Sequence, residues 1–411
     1  MGFLGALTGP LRIGIFRSLW IATIFSNVGT LMHGVGAAWL MTTMTDSPLM
    51  VGLVPAAVML PTFLVGLWGG VLADLFSRRL ILIVTQSAMM VTALAQGFLT
   101  LGGQMSPWML VGLTFIIGTA SSLNLPAWQS QIQDIVPREQ VAAAVSLNSM
   151  SFNSARAVGP ALGGLIVAAA GPASVFLLNG LSYLGTVGVL LAWKPTGTKR
   201  EPTAFFRAFL AGTAYVMRAP EMRAPLVRVS IFGFGASVIW AVLPLLARDD
   251  LGLGAGGYGT LLAAFGCGSL LIGGLVPGLR RSLHPDALVN GAAVVLALSV
   301  FTLATVHVYP VLLAVLFFGG FAWVGAMVQF NVAVQTSVTA EFRGRAMSFY
   351  LVCFQGSMGI GSAFHGWLAS QVGLAHALIV GGFVVLAGLI LQKLLPLGEA
   401  ATGSQPAAHS A

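Results

Sequence analysis

Hydrophobic residues in this chain run in long unbroken blocks instead of alternating with polar ones. Val51–Val71 carries no charge, and neither does Leu80–Met105. The turn that joins them, within Gly69–Leu82 (GGVLADLFSRRLIL), holds Asp74, Arg78 and Arg79. An α-helix needs roughly 20 apolar residues to cross a hydrocarbon core about 30 Å thick, and these blocks are of that length. The same alternation of apolar block and short polar turn continues to the end of the chain. It predicts helices over 17–42, 48–73, 80–103, 107–133, 140–170 and 173–193, then over 225–247, 257–280, 285–306, 309–337, 345–372 and 374–396. The expected organisation is an N-terminal six-helix bundle (1–193), a linker (194–224), a C-terminal six-helix bundle (225–396) and a disordered polar tail (397–411). Within the linker, Phe205–Met217 is a candidate amphipathic helix lying at the membrane interface.

Composition supports lipid as the solvent. Of 411 residues, 57% are hydrophobic and 7% charged, against about 25% charged in a soluble domain. The net charge of +8 and pI near 10.2 do not indicate nucleic acid, which needs a clustered basic face. Seventeen of the 19 Lys and Arg residues fall on one side of the predicted spans, in turns, in the linker or at the span ends on that side. Arg248 alone lies on the other side, and Arg156 lies inside a span. Basic loops stay in the cytoplasm, so both termini are expected there, in a multi-pass inner-membrane protein. Arg12 and Arg17 precede a run long enough to span, so no cleavable signal peptide is expected.

The two halves repeat. Shifting 115–171 by 202 carries Phe115, Gly118, Gln133, Glu139, Gly159, Gly164 and Gly171 onto Phe317, Gly320, Gln335, Glu341, Gly361, Gly366 and Gly373. Trp128 falls on Phe330. A shift of 204 places Gly69 and Gly70 on Gly273 and Gly274. Six helices repeated in parallel is the plan of a transporter whose site lies between its halves.

Gly70-x-x-x-Asp74-x-x-x-Arg78-Arg79 resembles the signature loop of the major facilitator superfamily, differing at Leu75 and Ser77. Within it the chain is similar to the branch of enterobactin-type siderophore exporters and macrolide-efflux proteins. Asn27-x-Gly29-Thr30, Ser47-Pro48-x-x-Val51-Gly52-Leu53 and Pro126-Ala127-Trp128-Gln129 carry that similarity, as do Asn153-x-Ala155-Arg156-x-x-Gly159-Pro160-x-x-Gly163-Gly164 and Arg343-Gly344-Arg345-x-x-Ser348. The resemblance implies a twelve-helix all-α membrane fold. It also implies export, because Gly159, Pro160, Gly163 and Gly164 are similar to a motif associated with exporters. Many proton-coupled exporters carry an Arg on helix four. This chain has none there.

Chemistry in the spans is sparse. Asp74 is placed to meet the positive N-terminus of a helix in the other half, with helix eleven near Gly344–Ser348 as the candidate. With Gly70, Arg78 and Arg79 it is a candidate conformational latch, although the arginines also suffice to set topology. Arg156 is an intramembrane charge, for which function is the default reading. An anionic substrate, coupling and a structural partner all remain open. Ser149, Asn153 and Arg156 share one helical face. Asn27, His33, Asn124, Trp128, Asn148, Gln329, Asn331 and Gln355 are candidates for a substrate pathway, each with helix packing as the competing reading. His33 and His365 titrate in the right range to carry protons, and Gly159, Pro160, Gly163 and Gly164 allow close helix approach and a bend. Cys267 and Cys353 sit in apolar runs as small hydrophobes.

The sequence carries no catalytic residue set, metal-ligand cluster, cofactor motif or nucleotide-binding loop, so no enzyme, cofactor or metal is expected. The reading is a secondary active transporter, exporting a siderophore, drug or metabolite by alternating access. An importer or a non-transporting sensor is the alternative. The expected partners are a small-molecule substrate, the bilayer and protons as a candidate coupling ion in antiport, with no nucleic acid and a monomeric state.

Overall fold

The computed structural model describes residues 8–75, 77–193, 218–339 and 341–397, without the side chains of 67–75, 133, 273–274 and 276–282. The Phe205–Met217 helix, the polar tail from 398 on and the side chain of Asp74 therefore lie outside the described residues, and Gly70 is placed only as helical backbone.

Lipid offers no partner to a peptide N–H or C=O, so a crossing segment must bond internally, and the described chain is almost wholly helical. The N-terminal half contains α1 (Gly14–Met44), α2 (Pro48–Leu75), α3 (Arg78–Leu101), α4 (Pro107–Ile135), α5 (Val141–Ala170) and α6 (Pro172–Ala192). The C-terminal half contains α7a (Arg223–Ala236) and α7b (Val238–Leu245), α8 (Ala255–Ser282), α9 (Pro285–Thr305), α10 (Tyr309–Thr336), α11 (Arg343–Val372) and α12 (Leu374–Leu391). Ten spans are long and apolar enough to cross a membrane among the described residues, and α5 and α11 are not in that set. Below, the near end is where α1 begins, and the far end is where it finishes.

Local signals start and stop these helices where the sequence places them. The Ser77 and Ser106 hydroxyls accept from the backbone N–H of Leu80 and Met109, at 3.2 and 3.3 Å, and so cap α3 and α4. Gly171 ends α5 and Gly373 ends α11, with φ/ψ of 77/167° and 90/163°. Only glycine adopts that conformation without strain. These two residues correspond under the 202-residue shift, so the repeat extends to individual backbone angles.

The seventh span departs from the expected single helix over 225–247. It breaks at Ser237, whose hydroxyl donates to the Phe234 carbonyl at 2.6 Å, and closes in a π-helical turn over Leu246–Asp250. Pro244 lacks the N–H that a regular ladder needs, and Gly233 and Gly235 weaken the turn before the break.

Each half ties its third helix to its sixth at the near end, by different chemistry. In the first half, Arg79 donates from Nε to the Leu190 carbonyl at 2.7 Å and from a terminal nitrogen to the Leu191 carbonyl at 2.8 Å. A cation at the C-terminus of α6 opposes the negative end of the helix dipole. In the second half, Asn290 bonds Gln392, and the Leu397 N–H donates to Asp286 at 3.1 Å. Asp286 also pairs with Arg228, which is only 1% exposed. Arg228 falls within the predicted seventh span (225–247) and is counted from the sequence among the basic residues of that side. Because α7a begins at Arg223, it lies inside the helix and is buried.

Removing one partner of a buried ion pair leaves an uncompensated charge and costs about 3–5 kcal/mol. Arg228→Met is expected to destabilise the purified protein by that order in detergent unfolding. The double variant Arg228→Met/Asp286→Leu is expected to recover most of the loss.

Candidate functional site

The halves meet along two helix pairs, α2 with α11 and α5 with α8. Both contacts are made by glycine against glycine toward the far end. A Cβ on Gly164 would lie 2.7 Å from the Gly259 Cα, and one on Gly366 would lie 3.1 Å from the Gly52 Cα. Small residues of this kind let backbones approach where lipid supplies no hydrophobic drive between helices. Gly159 and Gly163 face the other way, against Leu31 and Met32 of α1. The four-residue motif Gly159, Pro160, Gly163, Gly164 thus presses α5 into both neighbours at once.

Toward the near end the same helix is covered on one side only. Ala144, Leu147, Ser151 and Ala155 are buried as one stripe, whereas Ser149, Phe152 and Asn153 are exposed. Ser149, Asn153 and Arg156 continue the line that at Pro160 and Gly164 packs against Gly259. Arg156 therefore stands at the seam with α8: its carbonyl abuts Gly266. The guanidinium lies 5.1 Å from the centre of the Phe152 ring, within cation–π range. Among the described residues no carboxylate pairs with it.

At the far end Arg248 crosses between the halves. It donates to the Thr42 carbonyl, and to Asp46 at 3.1 Å. Sequence reading singles it out only as the lone cation of its side. It also pairs with the adjacent Asp249, whereas its partners across the seam lie about two hundred residues away and carry no local signal.

The two arginines of the predicted latch bond within their own half. Arg78 donates to Asp134 at 2.8 Å and to the Ser130 carbonyl at 3.0 Å, joining α3 to α4, and Arg79 holds α6 as described above.

The polar pathway candidates separate by their partners. Asn27 donates to Ser151 at 3.4 Å, linking α1 to α5, and Asn124 donates to Thr85 at 2.8 Å, linking α4 to α3. Asn331 accepts from Gln335 one helical turn away. His33 is buried with its ring 4.6 Å from Phe176, and neither ring nitrogen makes an aligned hydrogen bond. His365 is buried, with Nδ1 3.2 Å from the Ser237 hydroxyl at the α7 break. Gln329 is 2% exposed, with its carbonyl oxygen unpaired, and Gln355 is half-buried on α11. Trp128 and Asn148 are brought together beside Gln131, in a pocket between α1, α4 and α5. Phe330, the repeat counterpart of Trp128, packs in the core of the other half, 5.9 Å from Phe232.

Two repeated six-helix halves, joined along α2–α11 and α5–α8, define a membrane transporter of the major facilitator type. The chain belongs to the transmembrane secretion effector family, whose model matches residues 5–410. It is 26% identical to the MFS-type transporter YfiS of Bacillus subtilis, over 84% of each chain. It is also 26% identical to the enterobactin exporter EntS of Salmonella typhimurium, over 93% of this chain and 92% of that one. Among solved structures, a bacterial homolog of the human lysosomal transporter Spinster superposes with a TM-score of 0.71 at 13% identity, covering 95% of this chain and 96% of that one. A D-xylose–proton symporter does so at 0.70 and 15% identity, covering 93% and 98%.

A side chain at Gly164 must separate α5 from α8. Gly164→Leu is expected to cut transport at least about tenfold with membrane insertion unchanged, and to raise labelling of a cysteine placed at Ala255, which is buried beside Gly164. Labelling equal to that of the parent would show that the far end tolerates the bulk.

Proposed function

We propose that the chain exports a small organic molecule across the inner membrane by alternating access, with both termini cytoplasmic. The observation that carries this reading is the α5 stripe, packed against α8 from Gly164 down to Arg156 and exposed at Asn153 and Ser149. With cytoplasmic termini the uncovered end faces the cytoplasm, which is the loading state of an exporter. Export is favoured over import by the enterobactin exporters among the relatives and by Gly159, Pro160, Gly163 and Gly164. Arg156 supplies a positive contact for an anionic or catecholate-like molecule. Asn27 and Asn153 offer neutral hydrogen bonds on neighbouring helices.

Transport requires the far end to open in turn. The glycine contacts hold by shape alone and separate without leaving polar groups unpaired. Arg248 must release Thr42 and Asp46 at that step. At the near end, Asp74 is the carboxylate assigned to capture α11 when the halves close there. The repeat turn at 273–281 carries no acid, so that role falls to one half. The energy source is an ion gradient. Protons are the candidate, in antiport.

A strain lacking the gene is expected to accumulate the transported compound, and everted membrane vesicles carrying the protein are expected to take that compound up when energised. Uptake confined to right-side-out vesicles would make the chain an importer, and none in either orientation would make it a sensor. Asp74→Asn is expected to slow flux in everted vesicles several-fold with protein level unchanged. Unaltered flux would remove the latch.

A further inference from the structure

α11 packs against α7 in the second half as α5 packs against α1 in the first. Gly159 meets Leu31 of α1, and its equivalent under the 202-residue shift, Gly361, meets Phe234 and Ser237 of α7. One turn further on the halves differ. In the first half that position is Gly163, where a Cβ would lie 2.8 Å from the Met32 Cα, and α1 runs unbroken from Gly14 to Met44. In the second half it is His365, and α7 is broken beside it at Ser237. An imidazole and a helix break thus replace a plain backbone contact in one half alone.

The hydrogen bonds at the break fix the form of that imidazole. The Ser237 hydroxyl gives its one hydrogen to the Phe234 carbonyl at 2.6 Å, so toward His365 Nδ1, 3.2 Å away, it accepts. Nδ1 therefore carries the ring hydrogen, and Nε2 carries a bare lone pair. Nε2 has no partner among the described residues, and the ring is fully buried with Phe234 and Phe364 at 5.3 and 5.4 Å. The elements packed against α11 are α2, α7, α10 and α12. α10 brings one titratable group, Tyr309, which bonds Thr260, and α12 brings His376, which is exposed. The charges of α2 and α7a are Asp74, Arg223 and Arg228, all toward the near end, and the π-turn after α7b adds Arg248, Asp249 and Asp250 at the far rim. On α11 itself Arg343, Arg345, Tyr350 and Cys353 lie toward the near end. Among the described residues no carboxylate pairs with His365.

α2 lies over this junction. It packs on both α11 and α7b. A Cβ on Gly52 would lie 2.6 Å from the Ser362 carbonyl oxygen and 2.9 Å from the Cα of Gly366, the residue after His365. While α2 is seated, a charge on the ring would be buried with neither water nor counter-ion, which is costly. When the far end opens, α2 lifts away and water reaches the junction. We propose that His365 is a proton-binding site that favours the open far end. A proton from the far-side water adds to the Nε2 lone pair, giving an imidazolium that keeps its Nδ1–H on Ser237. The ligand is a bare proton, so the site needs no cavity. Because the proton binds the open state more tightly, it favours opening by the same factor. This assignment rests on the alternating-access reading and adds to it the group through which acid on the far side promotes discharge.

The test uses the full-length protein in lipid nanodiscs, carrying Cys267→Ser and Cys353→Ser, with spin labels on Gln104→Cys and Gln371→Cys. Both label positions are exposed at the far end, one in each half. Double electron–electron resonance reads the distance between them. Protons are the only ligand varied, from about pH 8 to about pH 5, across the range in which histidine titrates. The ratio of separated to closed molecules is expected to rise about tenfold, as when a ligand binds one state about ten times more tightly than the other. His365→Asn keeps an N–H for Ser237 but has no group that titrates, and its ratio is expected to stay constant. His307→Asn removes the far-end histidine 3.8 Å from Asp250 and is expected to keep the parent's response. His365→Gln is the second variant should His365→Asn fail to fold. Parent distances that do not change with pH, or an acid response that survives in a folded His365 variant, would each overturn the site. Vesicle flux of the compound accumulated by the deletion strain separates the two readings. Flux in everted vesicles with pH-independent distances overturns this site alone. A His365-dependent acid response with no flux in either orientation overturns the export reading alone.

Discussion

Helices in hydrocarbon gain nothing by hiding apolar surface from one another, because lipid tails are as apolar as leucine. What holds this molecule together between its halves is therefore the closeness of backbones, and closeness requires residues with almost no side chain. Gly164 against Gly259 and Gly52 against Gly366 meet that requirement on the two sides of the seam. Such contacts are strong in number and weak singly. Of the two polar bonds described across the seam, both from Arg248, the one to Asp46 engages a carboxylate that is 96% exposed. A pair in that setting contributes about 0–1 kcal/mol. The interface is thus held by shape with a light polar fastening, as a joint that must open repeatedly requires.

Inside each half the chemistry is different. Arg79 on the α6 carbonyls and Arg228 with Asp286 are buried or partly buried ties between neighbouring helices of one bundle. Breaking them leaves charge without a partner, so they keep each half rigid while the seam gives way. Rigid halves around a separable seam are the mechanical precondition for alternating access.

The sequence makes the spans, their order and the repeat legible because each depends on local pattern. Gly171 and Gly373 stand out as equivalent from the constant 202-residue offset alone, and their backbone angles match accordingly. The stripe Ser149, Asn153, Arg156 is legible for the same reason, since helical spacing alone aligns it. Partnerships are not legible. Nothing near Arg228 points to Asp286, 58 residues away, and a basic residue in the first turns of a span reads as a topology marker whether or not it is buried. Asn124 reads as a polar group on a helix, but its bond to Thr85 depends on how α3 and α4 rotate against each other. The pocket beside Gln131 is half visible in the sequence. Trp128 and Asn148 are candidates from their residue types and positions, while the unpaired amide between them emerges only when α1 closes over it.

The helices not in the set apolar enough to cross a membrane are α5 and α11, which occupy the same place in the two repeats and carry the seam. Lipid does not by itself reward their insertion as it rewards Leu-rich segments. During synthesis each must be accepted by helices already in place, α1 for α5 and α7 for α11. The polarity that equips these two helices to line a path therefore also makes their place in the bilayer depend on the helices they pack against.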